Sequence, residues 1–265
     1  MNLSRSGLYY RPRVKDRSKL LEEIARIVIQ FPGYGYRRIT RELGRRGLHI
    51  NHKVVLGLMR RNGLLAKKRK RYDVYVTSSK HPCPIYPNLK KSYVPDGIDK
   101  LWVADITYLH LNRGFAYLAV ILDAYSRKVV GFSLSQEPNK TLAIEALDQA
   151  LKIRRPGSGC IHHSDRGSQY TSFEYLRRLK EAGFLISMSA KGNPYDNAIA
   201  ESFMKTVKYE EVYLSEYQSL GEAKVRLKHF IGEVYNSKRL HSSIGYLPPD
   251  EFEAKIIQPP QKGVQ

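Results

Sequence analysis

Leu101-Trp102-Val103-Ala104-Asp105-Ile106-Thr107-Tyr108-Leu109 is an apolar, strand-like run with one carboxylate inside it. Two more such runs follow quickly, at residues 114–122 and 128–134. Asn112-Arg113-Gly114 separates the first pair, and Asp123-Ala124-Tyr125-Ser126 the second. Short β-rich runs punctuated by turn residues predict an antiparallel meander. Asp105 does not fit that apolar setting, because burying an unpaired charge is costly. A bound cation removes the cost, and carboxylate oxygens are the hard ligands that Mg²⁺ or Mn²⁺ selects.

Downstream, the pattern becomes mixed. A helix is predicted over 140–153, ended by Pro156-Gly157-Ser158-Gly159. A short strand, Cys160-Ile161-His162-His163-Ser164, then leads to Asp165. Thr171-Ser172-Phe173-Glu174 reads as a capping box opening the next helix. Another strand covers 184–188, a loop covers 189–195, and Asp196 can cap a helix that carries Glu201. Ser219-Leu220-Gly221-Glu222 is a second capping box. Behind it, Ala223, Leu227, Phe230, Ile231 and Val234 form an apolar stripe, read as core packing or a partner surface. Hairpin strands followed by alternating helices and strands give an α/β class. A central first strand would place Asp105 beside Asp165, and a helix against that edge would add Glu201.

Asp165 and Glu201 are separated by 35 residues. Several carboxylates at one spot can hold two divalent ions about 3.5–4 Å apart, an arrangement that serves in-line attack on phosphorus. The competing reading is structural, with Asp105 and Asp165 capping turns or pairing with Arg. On the Glu201 helix, Asn197, Glu201, Lys205 and Lys208 share one face by spacing, while Ile199, Phe203 and Val207 lie opposite. A carboxylate flanked by amide and ammonium groups suits a metal beside a phosphate backbone; a solvated amphipathic helix has the same pattern.

The chain has 265 residues and a net charge of +20. Residues 1–72 hold 20 Lys and Arg against 4 Asp and Glu, so +16 of that charge sits in the front quarter. A basic module ahead of a metal-binding one points to nucleic acid. Three helices are predicted there, at 16–31, 36–46 and 52–62, with Leu20, Ile24, Ile27, Val28, Ile39, Leu43, Val54, Val55, Leu58 and Met59 inward. Gly47 and Gly63 end two of them, and Asn51 caps the third. Lys53, Gly57, Arg60 and Arg61 face outward, describing a helix-turn-helix. The run Lys67-Lys68-Arg69-Lys70-Arg71 is either a solvated tail or a phosphate track. Residues 73–95, with Pro82, Pro84, Pro87 and Pro95, read as an extended linker. Cys83 and Cys160 make no disulfide framework or zinc motif, and His49 and His52 lack the cysteines of a zinc knuckle. No N-terminal apolar stretch follows a charged region and no apolar run is long enough to span a bilayer, so a soluble, reducing, intracellular protein is expected.

Three groups of residues carry a resemblance. They are Trp102-x-x-Asp105-Ile106-Thr107; His162-x-Ser164-Asp165-Arg166-Gly167-x-Gln169-Tyr170; and Ser187-Met188-Ser189-x-Lys191-Gly192-Asn193-Pro194-x-Asp196-Asn197-Ala198-x-x-Glu201-Ser202. With Tyr235-Asn236, Arg239-x-His241 and Pro248-Pro249, they resemble the catalytic core of transposases of the insertion-sequence-3 family. Tyr34-Gly35-x-Arg37-Arg38-Ile39 resembles the helix-turn-helix that precedes it. The resemblance implies a ribonuclease H-like, integrase-type mixed sheet flanked by helices, after a small all-α domain. It implies a DDE site of Asp105, Asp165 and Glu201 holding Mg²⁺ or Mn²⁺. It also implies cleavage and strand transfer at inverted repeats through an excised circle, and a frameshift fusion with an upstream-frame product as the full enzyme. The expected organisation is a DNA-binding region over 1–72, a linker over 73–95 and a catalytic core over 96–265. Arg37, Arg38, Lys53, Arg60 and Arg61 are the expected DNA contacts in front; Lys191, Asn197, Lys205 and Lys208 are those near the site. A homo-oligomer on DNA is expected, the chemistry needing two DNA ends. A non-catalytic DNA-binding regulator, and a ribonuclease H-type nuclease or junction resolvase, remain as rivals.

Overall fold

The computed structural model describes residues 16–66, 84–190 and 194–258. The run 67–71, the first part of the Pro-rich stretch, Cys83, and Lys191, Gly192 and Asn193 lie outside the described residues. The chain divides between Lys67 and Lys68 into two compact units.

In the front unit, α1 is Ser18–Gln30, α2 is Tyr36–Arg45 and α3 is His52–Arg61. Ile24, Ile27, Ile39, Leu43, Val55, Leu58 and Met59 fill its core, while Leu20, Val28 and Val54 are half-buried at its edge. Phe31 and Tyr34 stack at 4.5 Å and close the α1–α2 turn. The Asn51 side chain accepts the Lys53 amide at 2.8 Å, capping α3. Gly47 and Gly63 end α2 and α3 at φ of 82° and 67°, where a side chain would be strained.

The second unit is built on five strands: β1 Leu101–His110, β2 Phe115–Asp123, β3 Val129–Ser135, β4 Ile161–Ser164 and β5 Leu185–Met188. Their order is β3-β2-β1-β4-β5, so β1 is central. The first three form the antiparallel meander; β4 and β5 add parallel to β1, joined through helices α4 (Lys140–Ile153) and α5 (Phe173–Glu181). Alternation along β1 separates two cores. Trp102, Ala104 and Ile106 pack under α4 and α5. Leu101, Val103 and Leu109 pack on the other face with α6 (Ala198–Glu210) and α7 (Leu220–His229). After α7 the chain continues as a π-helical turn, Phe230–Asn236, and α8 is Pro249–Ile257. The stripe from Ala223 to Val234 is core packing, not a free surface.

The carboxy-terminal motifs are structural braces. Asn236 both donates to and accepts from the Val129 backbone at 3.0 Å, acting as a strand mimic at the start of β3. Arg239 grips Glu210 with two bonds of 2.7 Å, fixing the end of α6; both are nearly buried.

Two local expectations fail. Thr171 and Ser172 do not form the capping box: Thr171 bonds the Gly167 carbonyl and Ser172 the Gln169 carbonyl, while Glu174 lies near Lys140 and Arg178. The two hydroxyls donate to carbonyls of the tight turn before α5 rather than accept from the helix amides. Ser219 does cap α7, but Glu222 accepts from Gln218 instead of completing the box. Residues 84–95 have no helix or strand, yet they lie on the unit rather than hanging free. Leu89 and Tyr93 join one core and Tyr86 the other.

Candidate active site

Sheet register brings the first two carboxylates level. Leu101, Trp102 and Val103 pair in parallel with Ile161, His162 and His163. Continued by two residues, that register sets Asp105 beside Asp165, just past the end of β4. Each is fixed by a backbone amide: Asp105 accepts from Ile106 and Asp165 from Gly167, both at 2.9 Å. Glu201 occupies the first turn of α6, which packs on β1. The α6 helix starts at Ala198, and Asp196 does not cap it; the Asp196 carboxylate accepts the Ala190 amide instead. The tie to the sheet comes from Asn197, whose side-chain nitrogen donates to the Ala104 carbonyl at 3.0 Å.

Asp105 feels the other two acids. Asp105 is pushed from an ordinary 3.8 up to about 8, by burial first, then by the charge of Asp165 and, less, of Glu201. The Ile106 amide and the Lys208 ammonium oppose that rise. Glu201 lies 3.9 Å from the partly exposed Lys205, a loose contact that does not neutralise it. Among the described residues, no three His, Cys, Asp or Glu side chains are close enough together to hold a metal ion. The donor set fits a hard divalent ion: all oxygen, with one member whose charged form is penalised by burial and by two neighbours.

Below the site lies a polar scaffold. His163 meets Ser187 through Nδ1 at 2.8 Å and Ser189 through Nε2 at 3.1 Å. Burial, reinforced by the Lys90 charge, pushes His163 down to about 4; burial pushes His162 down to about 3, with its Nε2 2.9 Å from the Tyr175 hydroxyl. Both rings are neutral near pH 7: His163 ties β4 to β5, and His162 ties β4 to α5, rather than shuttling protons.

The expected DNA contacts divide. Arg37, Lys53, Arg60 and Arg61 are exposed; Arg38 is half-buried, 5.7 Å from the Tyr34 ring centre. Lys205 is exposed and Lys208 sits 4.3 Å from the Tyr108 ring centre. Asn197 leaves this set: it is buried, and its side-chain nitrogen is committed to Ala104. Helical spacing put it on the Glu201 face, but it precedes the helix, where that periodicity no longer applies. Lys191 lies outside the described residues. Sequence reasoning missed Lys90, whose ammonium donates to the Asp196 carbonyl and senses Glu201. Nothing distinguishes it in a Pro-rich stretch from any linker lysine.

Comparison with known proteins agrees with this architecture. Residues 96–194 and 182–249 match families described as Integrase core domain, and residues 15–72 match one described as HTH-like domain. The fold resembles a simian T-cell lymphotropic virus intasome solved with the PP2A regulatory subunit B56 gamma. That match has a TM-score of 0.51 and 15% identity, over 91% of this chain and 78% of the other. An integrase-type sheet behind a helix-turn-helix-like unit defines a polynucleotidyl transferase with DNA as partner. Two relatives give the family. The transposase for IS904 of Lactococcus lactis is 39% identical, covering 90% of this chain and 94% of its own. Transposase InsF for IS3A of Escherichia coli K12 is 36% identical, covering 97% and 92%. The chain belongs to the insertion-sequence transposases of the IS3 type. Among the described residues, no helix is long and apolar enough to cross a membrane.

Proposed function

We propose that this transposase cuts DNA at the ends of its element and joins the freed 3′-hydroxyls to target DNA, with Asp105, Asp165 and Glu201 as the catalytic and metal-holding residues. The observation that carries this reading is the β1–β4 register that sets Asp105 level with Asp165, with the charges of Asp165 and Glu201, remote in sequence, both raising Asp105. In cleavage, water attacks phosphorus in line and the bond to the 3′ oxygen breaks. In transfer, the 3′-hydroxyl attacks a target phosphodiester, and a target 3′ oxygen leaves. Mg²⁺ or Mn²⁺, as a pair, would supply charge neutralisation at phosphorus and ease loss of the attacking proton.

The chain's own residues set the geometry. Asp105 and Asp165 are short ligands held by the Ile106 and Gly167 amides. Glu201 adds reach from the first turn of α6. Lys205 and Lys208, one and two turns further along, draw the phosphate backbone over that turn. Arg37, Arg38, Lys53, Arg60 and Arg61 bind DNA through phosphates, and Lys191 is a further DNA contact. Because two element ends must be joined, the working form is a multimer, together with the upstream-frame product where a fusion is made, on nucleoid DNA in the cytoplasm.

Glu201→Gln in the full chain tests the site. With terminal-repeat DNA and Mg²⁺, nicking is expected to fall at least about 100-fold, on the scale of lost electrostatic stabilisation, while DNA affinity is retained. Full nicking by the variant would remove Glu201 from the site. Cleavage of RNA–DNA hybrids or four-way junctions, with none at repeat ends, would reassign the substrate. Tight DNA binding without any cleavage, and with no thermal shift on adding Mg²⁺ or Mn²⁺, would make the chain a regulator.

A further inference from the structure

Residues 86–90 touch the supports of two of the three carboxylates. The Leu89 amide donates to the Ser187 hydroxyl at 2.9 Å, and the same hydroxyl meets His163 Nδ1 at 2.8 Å, two residues before Asp165. The Met188 amide bonds the Pro87 carbonyl at 3.3 Å, fastening the segment along β5. One residue past Leu89, the half-buried Lys90 donates to the carbonyl of Asp196, in the 3₁₀ turn Pro194–Asn197 that leads into α6. Asn197, the next residue, holds the Ala104 carbonyl beside Asp105. One short strap therefore reaches the turn that aims Glu201 and, through Ser187 on β5, the His163 that precedes Asp165 on β4.

We infer that Lys90 is a positioning residue: through the Asp196 carbonyl it fixes the start of α6, and so the placement of Glu201 relative to Asp165. The inference rests on the proposed three-carboxylate site. A bare salt bridge would not serve this purpose. An ammonium bonded to a main-chain carbonyl constrains backbone, and the neighbouring bond from Leu89 to Ser187 gives the constraint a fixed origin. A helix start shifted by about 1 Å is enough to cost a large factor in rate when reacting groups must align.

The test uses the full chain with terminal-repeat DNA. Lys90→Met is expected to lower kcat at saturating DNA about 10-fold or more, with KM for DNA unchanged. Lys90→Arg, which keeps a charged donor, restores most of the rate. Hydrogen exchange without DNA supplies a readout independent of activity: in Lys90→Met, amides 198–202 exchange faster while those of β1 do not. Ser187→Ala, which frees the other end of the strap, is expected to produce the same exchange pattern and a smaller loss of kcat. If Lys90→Met fails to fold, Lys90→Arg and Ser187→Ala carry the test through exchange. Unchanged kcat and exchange in Lys90→Met would overturn the inference. So would a rise in KM alone, which makes Lys90 a DNA contact, or a loss that Lys90→Arg does not rescue. Glu201→Gln is run alongside: if it retains activity, the site assignment fails, whereas altered exchange in the Lys90 variant still reports the strap.

Discussion

Asp105 concentrates the energetics of the site in one side chain. Its carboxyl, raised from 3.8 to about 8, keeps a proton in the folded chain that the unfolded chain has already lost over that range. The folded state therefore binds more protons, and stability falls as pH rises from about 4 to about 8. Asp105→Asn removes that penalty. Without metal, its melting temperature is expected to exceed the parent's at pH 8, by the equivalent of roughly 2–4 kcal/mol, and to equal it near pH 4. With Mn²⁺ at pH 8 the order narrows or inverts, since only the parent keeps the full oxygen donor set. Equal melting curves at pH 8 without metal would show that Asp105 is not under this strain. The same residue marks how far the sequence could be read. A carboxylate within an apolar run stands out on any pass along the chain, and so do the motifs around Asp165 and Glu201. The buried role of Asn197 and the reach of Lys90 do not, because each depends on a backbone carbonyl supplied by a distant segment, Ala104 in one case and Asp196 in the other.

Elements whose signal is local periodicity were legible to within about two residues at their ends, a margin typical of helix assignment. The helices α1 to α4 and the β1–β3 meander belong here. The capping boxes were less legible, because Thr171, Ser172 and Glu222 had other partners available once the chain folded. Helix-on-sheet distance was not legible at all. Gly131 lies on β3 under α4, and a Cβ added there would lie within 2.8 Å of the Ala150 side chain and 2.9 Å of its amide, and would clash with the Ala146 carbonyl. Two of those three are backbone atoms, so neither helix nor strand can yield locally. Gly131→Ala is expected to destabilise the second unit by at least about 2–3 kcal/mol, by forced overpacking, read as a lower urea midpoint. Gly57, with nothing within 4 Å of an added Cβ, is the control: Gly57→Ala on α3 should be neutral or mildly stabilising. A Gly131→Ala midpoint equal to the parent's would mean that α4 sits further from the sheet than described.

At the scale of the whole molecule, charge and chemistry occupy different lengths of chain. Of the net +20, +16 falls in residues 1–72, whereas the carboxylate trio lies entirely between 105 and 201. Affinity for DNA and turnover should therefore respond to different substitutions. Each Lys or Arg that neutralises a phosphate releases condensed counterion, so log K falls linearly with log salt, with a slope of about −0.9 per duplex phosphate contact. Arg60 and Arg61, both exposed at the end of α3, are two such contacts in the proposed arrangement. Replacing both with Ala in the full chain is expected to make the slope less steep by about 2 and to weaken binding to terminal-repeat and unrelated duplexes alike. Glu201→Gln leaves the slope unchanged while abolishing nicking. Anisotropy titrations between low and moderate salt read both. A slope unaffected by the double substitution would place the phosphate contacts elsewhere in the chain. A loss confined to terminal-repeat DNA would instead make the two arginines readers of base sequence, since phosphate contacts carry no such preference.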